Sequence, residues 1–161
     1  MVGITPESDG TNDEPVTADE KRAVDEKHAI LVAPSPTASY QTTSDIDSYA
    51  DDFVDIDSDN LNLTITTSGG DVLAAFQGAV HCLGDSTTVL IDIEADGDRQ
   101  GGNYTGIVSA GIDSTRSPIG FSYLIRNLGA GAHTFKLQWK SSVNGRGMRL
   151  KSHAQFWVRE I

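Results

Sequence analysis

The chain has 161 residues and a formal net charge of −11, from 23 Asp or Glu against 12 Lys or Arg. This length suffices for one ordinary domain with a sizeable core. The acidic balance argues against nucleic-acid binding, because a phosphate backbone repels an acidic surface. The single cysteine, Cys82, excludes an intrachain disulfide and a cysteine metal cluster, and its apolar neighbours predict a buried, inert thiol.

The first 44 residues are predicted to form an extended, acidic N-terminal arm. Residues 1–60 contain 15 acidic residues against three basic ones, whereas residues 61–161 contain 8 acidic residues against 9 Lys or Arg. Thr17 and Glu20 frame a capping box, which predicts a short helix over residues 18–28.

An apolar run follows the predicted helix. Ile30, Leu31 and Val32 stand together ahead of two prolines, and they are too few for a helix of their own. We predict that they contact a partner. The Pro, Ser and Thr content of residues 35–44 is typical of a linker, so the arm is predicted to end at residue 44.

The N-terminus has neither the basic region nor the apolar run of a signal peptide, and no segment has membrane-spanning length. The sequence therefore predicts synthesis in the cytoplasm and no membrane partner.

Period-two alternation predicts strands in the second part of the chain. A first strand is predicted near residues 52–56. Leu61, Leu63 and Ile65 then alternate with polar residues, and a Ser-Gly-Gly-Asp turn leads to a second alternating run over residues 72–82. This pattern predicts a β-hairpin.

Further alternating runs follow, and the Asp96-Gly97 pair is typical of a tight turn. These runs cover residues 89–94, 104–110, 119–126, 133–140, 148–151 and 155–160. With about eight strands and no helical pattern after residue 30, the sequence predicts an all-β, antiparallel, jelly-roll-like β-sandwich over residues 45–161. The predicted core includes Phe76, Ile91, Phe121, Phe135 and Leu137.

The two tryptophans differ in parity. Trp139 shares the parity of Phe135 and is predicted to lie in the core. Trp157 has the opposite parity to Phe156 and Val158, so we predict that it is exposed or lies at an interface.

The acidic segment from Asp55 begins like a calcium loop, with Asp57 and Asp59 at alternate positions. Asn60 replaces the expected glycine and Thr66 the final glutamate, so a solvated acidic edge is favoured.

A second acidic series contains Asp92 and Glu94, which alternation places on one side of a strand. Surface solvation is favoured there, and a bound divalent ion remains an alternative. The four histidines, His28, His81, His133 and His153, lie in separate segments without ligand spacing. No nucleophile and base are recognisable together. We therefore expect no catalytic, cofactor-binding or metal-binding residues, and no enzymatic activity.

Residues 128–140, LGAGAHTFKLQWK, together with the strand that ends at Trp157-Val158-Arg159-Glu160-Ile161, resemble the closing hairpin of small jelly-roll domains in tailed-phage virion proteins. Residues 61–66 and 72–78 fit the same pattern. The resemblance implies a non-enzymatic structural protein of the virion, a capsid decoration or cement protein, often trimeric, with the major capsid protein or other virion proteins as partners. It supplies no catalytic residues.

Two alternatives stay open. One is a phage tail or head-fibre domain, and the other is a carbohydrate-binding module, in which exposed aromatic side chains would stack on sugars. The charge break near residue 60 favours the capsid role, because a sugar-binding sandwich does not need a long acidic arm.

Overall fold

The computed structural model describes residues 35–102 and 104–161, and among these residues it contains twelve β-strands and no helix. The strands are β1 (Thr37–Gln41), β2 (Ile46–Ser48), β3 (Val54–Asp55), β4 (Asn62–Thr67), β5 (Gly70–Cys82), β6 (Thr87–Ala95), β7 (Asp98–Arg99), β8 (Val108–Ile112), β9 (Ser117–Leu128), β10 (Gly131–Ser141), β11 (Met148–Leu150) and β12 (Gln155–Glu160). The helix predicted over residues 18–28 and the predicted contact segment of Ile30, Leu31 and Val32 lie outside the described residues.

The strands form two antiparallel sheets, each four strands wide. In the first sheet, β1 and β2 form one side, β12 and β11 lie next to them, β5 follows, and β9 forms the far side. In the second sheet, β3 and β4 pair with β10, β10 pairs with β6, and β7 and β8 pair with the other side of β6. Short strands thus lie end to end, so the twelve strands fill eight positions. This number agrees with the prediction of about eight strands, but the position filled by β1 and β2 was not predicted.

The order of the strands is that of a jelly roll. Along the chain, successive positions alternate between the two sheets, except where the turn at Asp96 and Gly97 joins β6 to β7 within one sheet. This alternation closes two sheets over one core. The predicted all-β, antiparallel, jelly-roll-like sandwich is confirmed.

The predicted hairpin between residues 61–66 and 72–82 is wrong. Strand β4 pairs with β10, whereas β5 pairs with β12 and β9 in the other sheet. Gly69 and Gly70 have φ angles of 103° and 147°, a conformation open to glycine but strained for other residues. At these two glycines the chain passes from one sheet to the other. The alternation of apolar residues predicted the two strands but could not show which strands they pair with.

The predicted linker contains a strand. Residues 37–41 form β1, which pairs with β12 from Thr37 opposite Arg159 to Gln41 opposite Gln155. Ala38 and Tyr40 pack against the core. The alternate residues Thr37, Ser39 and Gln41 are exposed. The strand therefore has the period-two pattern, but its Ser and Thr content made the segment resemble a linker.

The core lies between the sheets and agrees with the prediction, with one exception. Ile91, Phe135 and Leu137 are fully buried, and Phe76 is 2% exposed. Phe121 is only partly buried, and its ring lies 5.9 Å from that of Phe76 in a tilted arrangement. Trp139 is buried in the same core, as predicted, and so is Cys82.

Candidate functional site

Trp157 lies on the outer face of the first sheet. Its neighbours in β12, Phe156 and Val158, are fully buried and point into the core. Because successive side chains of a strand point to opposite faces, the Trp157 indole faces outward, where it is partly exposed. The parity argument from the sequence predicts this orientation.

Small and hydroxylated residues flank the indole across the sheet. Trp157 pairs with Ser39 of β1 on one side and with Ala75 of β5 on the other, and Ala75 pairs with Ser122 of β9. Directly paired residues share a face of the sheet. The indole therefore has no bulky neighbour in its own row.

A row of glutamines runs parallel to it. Gln41, Gln155 and Gln77 lie in register on β1, β12 and β5, and Gly120 of β9 ends the row. Gln77 Nε2 donates a hydrogen bond to Gln155 Oε1 at 2.5 Å. An amide has two donor hydrogens and two acceptor lone pairs, so this bond orients both amides and leaves each of them capacity for another partner.

These two rows are named the Trp157 face. Its members are Ser39, Trp157, Ala75, Ser122, Gln41, Gln155, Gln77 and Gly120. None of these eight residues has an ionisable side chain. On the other side of the Trp157 row, the exposed Arg159 follows on β12, paired with Thr37 and Leu73. The two rows themselves are polar and uncharged, which favours an uncharged ligand over an ionic one along the glutamines.

Shallow depressions lie on both sides of the indole. One, of about 410 Å³, is lined by Ser39, Gln41 and Trp157 among others. A second, of about 430 Å³, lies between Trp157 and Ser122. A third, of about 520 Å³, continues past Gln77 and Gly120 to Ser152 and His153. Trp157 lines the first two depressions, and Gln77 and Gly120 line the second and third, so the three depressions adjoin, with the indole between the first two. They are together called the trough.

Charged residues border the trough at one end. Arg149 holds Asp47 with two hydrogen bonds of 2.5 and 2.6 Å, and Lys151 pairs with Asp45. The hydrogen bond from Arg149 lowers the pKa of Asp47, and the one from Lys151 lowers the pKa of Asp45. These acids of the front part of the chain are therefore neutralised within the sandwich.

His81 lies beside Arg149 on the same face. Its Nδ1 is buried without a hydrogen-bond partner. Burial, and then the positive charge of Arg149, lowers the pKa of His81, so the imidazole is neutral at pH 7.

The outer face of the second sheet has a different character, because charges cross-link its strands. Lys136 Nζ lies 3.3 Å from Glu94 Oε1 and 3.5 Å from Asp55 Oδ2. Gln138 Nε2 donates to the same two carboxylates. The hydrogen bond to Glu94 is the main cause of a raised pKa of Lys136. Asp55, like Asp45 and Asp47, thus pairs with the later part of the chain, so residue 60 is no structural boundary.

Asp92 differs from the solvated carboxylate that the sequence predicts. It is fully buried. Its Oδ1 accepts hydrogen bonds of 2.8 Å from the amides of Ile93 and Gly101, and Arg99 Nη1 lies 3.5 Å from Oδ2. Burial raises the pKa of Asp92. The carboxylate anchors the loop after β7 to the sheet. The prediction of a solvated Asp92 was wrong because β6 is buried on both faces, so a polar position in its alternation is not necessarily exposed.

The acidic segment before β4 forms a turn. Asp57 Oδ1 accepts hydrogen bonds from the amides of Asp59 and Asn60 at 3.1 and 3.0 Å. Among the described residues, no group of three or more His, Cys, Asp or Glu side chains has an arrangement that could hold a metal ion.

Sequence reasoning predicted the outward orientation of Trp157, whose role in binding stays a prediction, and it did not single out the three glutamines. Their alternation with core residues was visible in β5 and β12, but their alignment depends on which strands pair. The other predicted contact residues, Ile30, Leu31 and Val32, lie outside the described part of the chain.

No protein-family model and no curated protein matches the chain. Solved structures of similar fold include Eiger TNF from S. frugiperda, with 11% identity over 80% of this chain and 93% of that chain and a TM-score of 0.46. The CBM36-1 domain of a multidomain xylanase from the hindgut metagenome of Trinervitermes trinervoides has 14% identity over 74% of this chain and 95% of that chain, with a TM-score of 0.42. A structure of infectious bursal disease virus, Gt strain, has 8% identity over 76% of this chain and 31% of that chain, with a TM-score of 0.38. These values indicate no function.

Proposed function

We propose that this chain is a non-enzymatic structural protein of a virion, a capsid decoration or cement protein that attaches to capsid subunits through its N-terminal arm. The sequence resemblance to jelly-roll domains of tailed-phage virion proteins supports the proposal. It also supports a homotrimer as the assembled form.

The observation that carries the proposal is that residues 37–160 supply every strand of the jelly roll. The buried core residues come from the same stretch. The described strands thus fill all eight positions of the two sheets, and we assign the contact with the capsid to residues 1–34.

The composition of residues 1–34 suits such a contact. They contain 8 acidic residues against three basic ones, together with the apolar run Ile30, Leu31 and Val32. Apolar burial would supply affinity, and the acids would meet basic groups on the capsid. Because salt screens exposed charges and not apolar burial, binding is expected to weaken with ionic strength without vanishing.

The test uses heads that lack the protein and a chain shortened by residues 1–34. Circular dichroism first establishes that the shortened chain retains its β spectrum. Its binding to the heads is then expected to fall at least roughly tenfold relative to the full chain, as for loss of a central contact. A full-length variant with Ile30, Leu31 and Val32 replaced by Ser is expected to lose most of the same affinity. Equal binding by the shortened and full chains would overturn the proposal.

A phage tail or head-fibre location is the second candidate. The same experiment distinguishes a tail location, because a tail domain is expected not to bind isolated heads at all; a head-fibre domain would bind them. Among the described residues, no helix is long and apolar enough to cross a lipid bilayer.

A further inference from the structure

We propose that the Trp157 face binds a neutral polysaccharide, with the Trp157 indole stacked on a sugar ring and the glutamine amides bound to its hydroxyl groups. This second contact surface is made of residues outside the arm, and the proposal does not depend on attachment to a capsid.

The first argument is the pairing of a flat apolar ring with fixed amides. A sugar ring presents C–H groups on its faces and hydroxyl groups around its edge, so it is best bound by an aromatic face beside hydrogen-bonding side chains. Trp157 and Gln155 are two residues apart on β12 and so share its outer face, about 7 Å apart at the rise of a strand. One sugar ring can therefore contact both.

The second argument is that the amides are already oriented. The hydrogen bond of 2.5 Å between Gln77 Nε2 and Gln155 Oε1 joins adjacent strands. Side chains held in place before binding lose less conformational entropy when a ligand arrives. Since each amide retains a donor and an acceptor, the pair can both donate to and accept from a hydroxyl group.

The shape of the surface beside Trp157 also suits a polymer. The depressions beside Trp157 continue past Gly120, where the lack of a side chain keeps the row open, towards Ser152. A β-carbon at Gly120 would lie 3.2 Å from the carbonyl oxygen of Phe76 and 3.7 Å from Cα of Gln77. As lined by the described residues, the three adjoining depressions are open and not enclosed, which suits an internal stretch of a polymer better than a single sugar.

The two outer faces of the sandwich differ in charge. The outer face of the second sheet carries Lys136, Glu94 and Asp55 in an ion-paired cluster, whereas no residue of the Trp157 face is ionisable. An acidic or sulfated polysaccharide would find one exposed cation beside the indole, Arg159, two residues along β12, but no counter-charge along the glutamine row. The uncharged glutamine row therefore favours a neutral glycan, and the anionic polymers below test the contribution of Arg159.

The experiment uses the full chain and a panel of soluble neutral polymers: mixed-linkage β-glucan, xylan, galactomannan, arabinogalactan and dextran. Heparin and polygalacturonate serve as anionic comparisons. Binding is measured by affinity electrophoresis and by tryptophan fluorescence. Only two tryptophans are present and Trp139 is 1% exposed, so a spectral change reports on Trp157. At least one neutral polymer is expected to bind, with an affinity that does not change between low and high salt.

Three variants test the assignment of the site. Trp157→Ala is expected to reduce the affinity at least roughly tenfold, Trp157→Phe to retain part of it, and Gln77→Ala to reduce it without altering the indole. Tyr104→Ala removes an aromatic side chain that is 89% exposed elsewhere and is expected to bind like the parent chain. If Trp157→Ala fails to fold, the change in affinity of Gln77→Ala still tests whether the polymer binds at this face.

The proposal is overturned if none of the neutral polymers binds, if only the anionic polymers bind, or if the affinity is unchanged in Trp157→Ala and Gln77→Ala. The head-binding assay of the shortened chain leaves the Trp157 face intact. The attachment proposal and the glycan proposal can therefore fail independently.

Discussion

His133 Nδ1 lies 2.6 Å from Asp96 Oδ2, and this contact joins the turn after β6 to the beginning of β10. On the other side of the ring, Nε2 lies 2.8 Å from the carbonyl oxygen of Gly129. Both neighbours are acceptors, so both contacts are hydrogen bonds only when the imidazole carries two protons. The hydrogen bond with Asp96 raises the pKa of His133 and lowers the pKa of Asp96.

The stabilisation from this pair is expected to depend on pH. Because the folded-state pKa of His133 lies above 6.5, its contribution is fully present below the unfolded value and is lost as pH rises through the folded pKa. Because the folded-state pKa of Asp96 lies below 3.8, its contribution is present above 3.8 and is lost as pH falls through the folded pKa. The pair is therefore most stabilising between these limits.

Urea unfolding of the parent chain and of His133→Gln measures this effect. We expect the variant to be less stable by roughly 1 kcal/mol near pH 5.5, as for a partly exposed ion pair. The difference is expected to shrink steadily towards pH 9. Asp96→Asn should follow the same course, and a difference that is constant from pH 5.5 to 9 would contradict the assignment.

Phe135 is the second test, because it is fully buried in the middle of β10 between Leu63 and Ala95. Phe135→Ala is expected to lower the free energy of unfolding by about 3 to 5 kcal/mol, through lost apolar burial and the cavity left behind. Tyr104→Ala should change it by less than about 0.5 kcal/mol, as at other exposed positions. Chemical denaturation measures both, and similar values would show that Phe135 is not a core residue.

The buried carboxylate of Asp92 gives a third prediction. Asp92→Ala leaves the amide of Gly101 without its acceptor and is expected to cost about 1 to 3 kcal/mol. Asp92→Asn keeps an acceptor oxygen and removes the charge. Because burial raises the folded-state pKa of Asp92 above 3.8, stability falls as pH rises from 3.8 to the folded pKa, above which the buried carboxylate is ionised. Asp92→Asn should therefore cost less than Asp92→Ala at pH 7, and the reverse order would be inconsistent with this role.

Local pattern predicted the strands well and their partners poorly. Alternation located β5, β6 and β10 and the outward orientation of Trp157, because the side-chain period of a strand is a local property. It did not show that β4 and β5 lie in different sheets, since that depends on contacts between residues far apart in the chain. The glutamine row of the Trp157 face was missed for the same reason.

The charge distribution along the sequence did not predict which acids are paired within the sandwich. The acids of residues 45–55 were grouped with those of the arm, yet Asp45, Asp47 and Asp55 pair with Lys151, Arg149 and Lys136. Sequence charge shows where acids are numerous, and only the strand register shows which cations neutralise them.

The position at which the arm is cut gives the last prediction. Removing residues 1–34 leaves β1 and is expected to leave the free energy of unfolding of the sandwich nearly unchanged. Removing residues 1–44 deletes β1, with its five paired positions on β12. It also deletes Thr42, which is 2% exposed and exchanges hydrogen bonds with the backbone of His153 and Ala154.

The longer deletion uncovers the edge of β12 and exposes the core-facing side of Phe156, which pairs with Tyr40 of β1. Several kcal/mol should be lost, since each unsatisfied buried polar group costs about 1 to 3 kcal/mol and apolar burial is lost as well. The bare edge is also expected to promote aggregation. Urea denaturation and light scattering of the two shortened chains measure these effects side by side. If the two chains were equally stable and equally soluble, β1 would not be an integral strand of the sandwich, and the arm would extend to residue 44 after all.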